Sequence, residues 1–222
     1  MRFKNRNEAA ELLFDRLKTY QGKHPLILGI PRGAMPIAGI LHEKLGGDLD
    51  VILVHKLSAP SSPEFAIGSV SESGDVYLSP ALSAMRELGG HLNERIEDEV
   101  KKLKLKRKLY SQASLEVSPR NRLVILVDDG VATGATLLSA IQAIRKFRPQ
   151  KIICAVPVAS PQAKKLIRDQ VDEFVTLECP KEFFSVSEFY DEFPQVSDLE
   201  VVEILKKSHN TQLRSLKTGS RE

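Results

Sequence analysis

The chain has 222 residues, 42% of them apolar, enough to bury a full core without metal or disulfide staples and suited to one α/β domain with small appendages. Its 32 basic and 29 acidic residues leave a formal charge of +3, so no segregated basic excess points to a nucleic-acid partner. The longest apolar runs, such as Leu123 to Val127, are strand-sized rather than membrane-spanning, and the charged N-terminus lacks the apolar stretch of a signal peptide.

Residues 7–20 place Ala9, Leu12, Leu13, Leu17 and Tyr20 at helical spacing, with Asn5 or Asn7 available as the cap. An apolar strand from Pro25 to Ile30 stops at Pro31-Arg32-Gly33, and a helix over about 34–45 follows, closed by Gly46-Gly47. The apolar run after it predicts one continuous strand over 50–57. The stretch 58–63 (SAPSSP) reads as a turn, and 65–78 as a β-hairpin around Ser73-Gly74-Asp75. A long charged helix is expected over 82–112, broken or capped near Gly89-Gly90. Its run 101–108 (KKLKLKRK) has two readings, a solvated face resting on Leu103 and Leu105, or a surface that meets an anionic ligand or nucleic acid.

A strand at 123–127, a loop, and a helix from Ala135 to Phe147 come next. They are followed by a strand over 151–158, a helix from about Pro161 to Gln170 and a strand near 173–177. Residues 180–198 are aromatic and polar; a last helix spans roughly Asp198 to Lys207, and 209–222 reads as a disordered tail. Cys154 and Cys179 lie in apolar, strand-like stretches, as buried free thiols of a cytoplasmic protein would.

Repeated strand–loop–helix units imply a mostly parallel sheet covered on both faces, whose ligands bind at the carboxyl ends of the strands. The segment 123–145 is the most informative. An apolar strand delivers two adjacent carboxylates, Asp128 and Asp129, to the sheet edge, and the small-residue loop Gly130-Val131-Ala132-Thr133-Gly134 then enters a helix. Small residues let backbone amides approach a phosphate, the helix N-terminus adds donors, and Thr133 and Thr136 add hydroxyls. Carboxylates beside a phosphate site repel the phosphate itself but can accept hydrogen bonds from the hydroxyls of an attached sugar. No lysine follows Gly134, so this is not a Walker A loop, nor does it match G-x-G-x-x-G.

Residues 124–136, with two acidic residues followed by small ones and T-G-x-T, resemble the 5-phosphoribosyl-1-pyrophosphate (PRPP) signature of type I phosphoribosyltransferases. Gly130 departs from the β-branched or leucine residue that many members carry, which loosens the turn without removing a ligand group. The resemblance extends over most of residues 25–205 and implies the type I fold: a central sheet flanked by helices, with a small hood or lid region. One domain over 1–208 follows, its hood supplied by about 180–208 and the N-terminal helix as a further contributor.

On that resemblance, Asp128 and Asp129 hold the ribose hydroxyls and, with Arg32, form the catalytic set. Ala132, Thr133, Gly134, Ala135 and Thr136 cradle the 5′-phosphate, and Pro31, Arg32 and Gly33 form the pyrophosphate loop, where the family often has a cis peptide. Lys56 either faces the pyrophosphate or is an ordinary surface lysine. The stretch 58–70 occupies the place of a mobile lid. Mg²⁺ is implied as cofactor, held mainly by the substrate, since the five histidines lack metal-site spacing.

Enzymes of the family that use 6-oxopurines carry an aspartate where Ala132 stands, so the acceptor expected here is a nucleobase of another kind. Phe183, Phe184, Phe189, Tyr190 and Phe193 either stack on that base or pack the tail onto the domain, and Glu64 and Glu188 are candidates for its edge. The expected partners are PRPP, a small-molecule acceptor and a second copy of the chain in a homodimer. Two further classes are a non-catalytic PRPP-sensing regulator, for which salt-dependent nucleic-acid binding is the signature, and a phosphatase or receiver-like domain built on Asp128. A PRPP synthetase needs two duplicated halves, which this length does not hold.

Overall fold

The computed structural model describes residues 1–59, 62–78, 89–113 and 116–218, and side chains outside 58–67, 79–92, 114–115 and 211–222. Part of the expected turn at 58–63, residues 82–88 of the expected long helix, and the side chain of Glu64 lie outside the described residues.

Helix α1 (Arg6–Leu17) begins where the Asn5 side chain accepts hydrogen bonds from the amides of Asn7 and Glu8, at 3.1 and 3.2 Å. It continues as a 3-10 turn, Lys18–Tyr20. Strand β1 (Leu26–Gly29), helix α2 (Met35–Leu45) and strand β2 (Asp48–Val51) complete a parallel unit. Beyond α3 (Gly89–Ser111) come β6 (Leu123–Val127), α4 (Ala135–Lys146), β7 (Lys151–Val158), α5 (Pro161–Arg168), β8 (Glu173–Glu178) and α6 (Asp198–Thr218). The main sheet has five strands in the order β2-β1-β6-β7-β8, every pair parallel.

Strand alternation builds two cores. Ile125 and Val127 of β6 and Ile153 and Ala155 of β7 face α1, α2 and α6, whereas Val124, Leu126, Ile152 and Cys154 face α4 and α5. The chain leaves β1 toward β2 on one side, and β6 lies on the other. The crevice between the carboxyl ends of β1 and β6 is therefore the switch point at which ligands of such sheets bind.

The expected strand over 50–57 is instead two strands in two sheets. β2 ends at Val51, Ile52 and Leu53 lie between, and β3 (Val54–Ala59) pairs with β4 (Ser62–Ser71) in an antiparallel sheet completed by β5 (Val76–Leu78). Val51, Ile52, Leu53 and Leu57 are all buried, so a continuous apolar run carries no mark of the sheet change. The hairpin expected around Ser73-Gly74-Asp75 is the β4–β5 connection. Its β4 strand is held to α4 by Ser69, whose hydroxyl donates to the Ala135 carbonyl at 2.8 Å and lies 2.6 Å from the Ser139 hydroxyl.

α6 continues to Thr218, past the expected end at Lys207, so residues 209–218 are helical rather than tail. Both cysteines are free, but only Cys154 is buried; Cys179, just past β8, is half-buried. No helix among the described residues is long and apolar enough to cross a membrane.

Candidate active site

Two loops from neighbouring strands meet at the switch point. Ile30 donates to the Val127 carbonyl at 3.0 Å, extending the β1–β6 ladder up to the point where Pro31-Arg32-Gly33 and Asp128-Asp129 begin. The Pro31–Arg32 peptide is cis. A Cβ on Gly33 would stand 2.1 Å from Oδ2 of Asp129, so only glycine lets the two loops approach this closely.

The loop after β6 is tied down on its far side. Val131 donates to the Val158 carbonyl at 2.9 Å, and the Ser160 hydroxyl donates to the Ala132 carbonyl at 2.6 Å while capping α5. Gly134 adopts φ +84°, which favours glycine, and starts α4 with no side chain capping its first turn. Ala132 and Thr133 are exposed, and Ala135 and Thr136 half-buried, so amides and hydroxyls surround an open helix N-terminus. The segment 132–136 thus lies at the open N-terminus of α4, at the carboxyl end of the sheet.

The carboxylates are half-buried. Oδ1 of Asp128 accepts the Asp129 amide at 2.9 Å. Burial and, after it, the neighbouring Asp129 charge push the Asp128 carboxyl well above the usual carboxylate range. Burial also raises Asp129, against the pull of an ion pair that the sequence reading missed: Arg6 donates to its Oδ2 through Nε at 3.0 Å and Nη2 at 2.8 Å. The third nitrogen of Arg6, Nη1, donates to the Pro194 carbonyl at 2.8 Å, and its guanidinium lies 3.8 Å from the centre of the Phe193 ring. A signal for Arg6 was present, because it shares the buried face of α1 with Ala9, Ala10, Leu13 and Leu17. A charge on the apolar face of a helix needs a partner.

The aromatic tail packs beside this pair. Tyr190 is buried and donates to the Asp129 carbonyl at 2.7 Å; Phe193 stacks on it at 4.7 Å, and Phe3 lies 5.4 Å away. Phe183 and Phe189 stack on each other at 5.4 Å. These four rings of the tail serve packing, whereas Phe184 is 79% exposed. Glu188 is exposed on the short 3-10 turn Val186–Phe189.

The departure at Gly130 also has a steric cause. A Cβ there would stand 2.5 Å from Cγ1 of Val186 and 3.0 Å from Cγ1 of Val158, so the tail occupies the space a side chain would need. Close packing, rather than a looser turn, accounts for the glycine.

Arg32 is exposed at the mouth, where Nη1 lies 3.8 Å from Oδ2 of Asp198 at the start of α6. Lys106, from the basic run of α3, lies 3.7 Å from Oδ1 of the same carboxylate, which also accepts from the Tyr110 hydroxyl. Part of that run thus reaches the rim of the site. Lys56 is exposed on β3, paired in register with Ser69, and so belongs to the small sheet rather than to a main-sheet strand end. Among the described residues no three acidic, histidine or cysteine side chains gather as a metal site. The pair Asp128 and Asp129 offers hard oxygen ligands of the kind Mg²⁺ accepts alongside substrate oxygens.

The family profile described as phosphoribosyl transferase domain matches residues 3–209. A Mycobacterium tuberculosis (strain H37Rv) protein, provisionally named a phosphoribosyl transferase, is 34% identical over 212 residues, which cover 93% of this chain. The chain spans only 47% of that relative's length, and the strain CDC 1551 counterpart gives the same values. The crystal structure of TT1426 from Thermus thermophilus superposes with a TM-score of 0.80 at 36% identity, covering 93% of this chain and 99% of that one.

Proposed function

The chain belongs to the phosphoribosyl transferase domain family and has its type I fold, and from that premise we propose that it transfers the 5-phosphoribosyl group of PRPP to a nitrogenous acceptor, releasing pyrophosphate. The observation that carries this reading is the pair Asp128 and Asp129 standing between the uncapped N-terminus of α4 and the Pro31-Arg32-Gly33 loop. A ligand with a sugar between two phosphate groups matches that order of charges.

In this reading, residues 132–136 bind the 5′-phosphate with backbone amides and the hydroxyls of Thr133 and Thr136. Asp128 and Asp129 accept hydrogen bonds from the ribose 2′ and 3′ hydroxyls. Pro31, Arg32 and Gly33 receive the pyrophosphate, Arg32 through charge-assisted donors. The acceptor nitrogen forms the new bond to C1, the C1–O bond breaks with its electron pair leaving on pyrophosphate, and the nitrogen sheds its proton. The protein contributes orientation and fixed charges around that exchange. Mg²⁺, when bound with PRPP, supplies neutralisation of the pyrophosphate, and Asp128 and Asp129 are the residues placed to touch its shell.

Alanine at position 132 speaks for an acceptor other than a 6-oxopurine. Of the five tail rings Phe184 alone is largely exposed, which makes it the candidate to stack on a base. A cytoplasmic homodimer is the expected assembly.

Calorimetric titration of Mg²⁺–PRPP into the wild type and into the Asp128→Asn/Asp129→Asn variant, with ATP as control, tests the site. Saturable binding that the double substitution abolishes is expected, after which a panel of nucleobases is screened for pyrophosphate release. A folded wild type that ignores PRPP sinks the reading. PRPP binding with no turnover on any acceptor would turn it toward a PRPP sensor.

A further inference from the structure

The two carboxylates at the switch point have four oxygens between them, and two are spoken for. Oδ1 of Asp128 accepts the Asp129 amide, and Oδ2 of Asp129 accepts twice from Arg6. Among the described residues no side chain donates to Oδ2 of Asp128 or to Oδ1 of Asp129.

Arg6 is more than an anchor for α1. It is 8% exposed, all three of its nitrogens are engaged, and it joins two parts of the site that no backbone hydrogen bond connects, the Asp129 carboxylate and the Pro194 carbonyl. Burying an ion pair is costly unless its geometry is tightly satisfied. Here the fork to Oδ2 of Asp129, the Pro194 carbonyl and the ring of Phe193 satisfy the guanidinium. A purely structural pin could be apolar. A fork closed on one oxygen of one carboxylate selects which oxygen stays available.

We propose that Arg6 is a positioning residue for PRPP: by occupying Oδ2 of Asp129 it presents Oδ1, with Oδ2 of Asp128, as two single acceptors for two ribose hydroxyls, and it ties that geometry to the tail on the acceptor side. This inference rests on the PRPP reading above and adds to it a residue from the N-terminal helix. Because Arg6 reaches the ribose carboxylates and not the Pro31-Arg32-Gly33 loop, its loss weakens ligands that carry the ribose and spares pyrophosphate.

The test compares wild type, Arg6→Gln and Arg6→Lys, each titrated calorimetrically with Mg²⁺–PRPP and with Mg²⁺–pyrophosphate well below its melting temperature. Arg6→Gln is expected to raise the Kd for PRPP by about tenfold or more, with the Kd for pyrophosphate unchanged. Arg6→Lys, which restores the charge without the fork, recovers part of the PRPP affinity. Unchanged PRPP affinity in Arg6→Gln, or equal weakening of both ligands, overturns the proposal in favour of a structural pin. Should Arg6→Gln not fold, the same split between the two ligands is read in Arg6→Lys. Wild type that binds neither ligand would instead overturn the PRPP reading itself.

Discussion

Burial and the neighbouring charge both push the Asp128 carboxyl upward, so folding and ligand binding pull this residue in opposite directions. A carboxyl whose folded-state pKa lies above its unfolded value binds more protons in the folded protein. Its contribution to stability is therefore most favourable below about pH 4 and declines as pH rises toward the raised value. Asp128→Asn removes that penalty. It is expected to raise the melting temperature near neutral pH, by about 2–4 °C for each kcal/mol relieved, to leave it unchanged below about pH 4, and to abolish PRPP binding. Thermal melts at the two pH values together with one titration check all three outcomes. At Gly33 the constraint is volume: a methyl group would overlap Oδ2 of Asp129, so Gly33→Ala is expected to lower PRPP affinity by at least about tenfold, read by calorimetry. The placing of Asp128, Asp129 and the 130–136 loop together at the end of β6 was legible because one contiguous strand–loop–helix segment carries all of them. For Arg6 the pattern marks only a charge on the apolar face of α1; its partner, Asp129 on the loop after β6, was not legible, because spacing along α1 says nothing about what a distant loop presents.

At the level of elements, the tail from Phe183 to Pro194 behaves as a fitted cover on the β6 loop. Val186 fills the space above Gly130, and the Tyr190 hydroxyl holds the Asp129 carbonyl. Gly130→Ala is expected to destabilise by about 1–3 kcal/mol through overpacking, and Val186→Ala in the same chain to recover part of that loss. Denaturant melts of the two single variants and the double variant measure this coupling. The start of α6 makes a second such contact, with Asp198 facing Arg32 and Lys106 at 3.8 and 3.7 Å. These are solvated pairs, so Asp198→Asn is expected to change stability by less than about 1 kcal/mol. Freeing the two cations should raise affinity for pyrophosphate a few-fold, and unchanged or weaker binding would show that the carboxylate does not compete for them. Helix and strand order were readable from periodicity. The division of residues 50–57 between two sheets was not, because burial on both sides of Ile52 erases the alternation that would mark it.

Across the whole molecule, the first residues of the chain and the tail pair with each other over the sheet edge. Phe3 donates to the Phe189 carbonyl and accepts from the Asp191 amide, both at 2.8 Å, and the Glu192 amide donates to the Lys4 carbonyl at 2.9 Å. Removing residues 1–4 is therefore expected to expose the segment 181–194 to proteolysis while the β1–β6–β7 core stays folded, a result that limited digestion with mass spectrometry would detect. The parallel sheet and the place of the site on it follow from patterns within each element. The closure of that site follows from contacts between chain segments nearly two hundred residues apart, such as Arg6 with Pro194, which local spacing does not record. The chain contains no tryptophan and four tyrosines, and two of them bring their hydroxyls to the rim of the crevice, Tyr190 at the Asp129 carbonyl and Tyr110 at the Asp198 carboxylate. The protein thus carries a native optical probe: with no indole to mask them, the phenol emissions report on the tail and on the α3–α6 junction without any attached label.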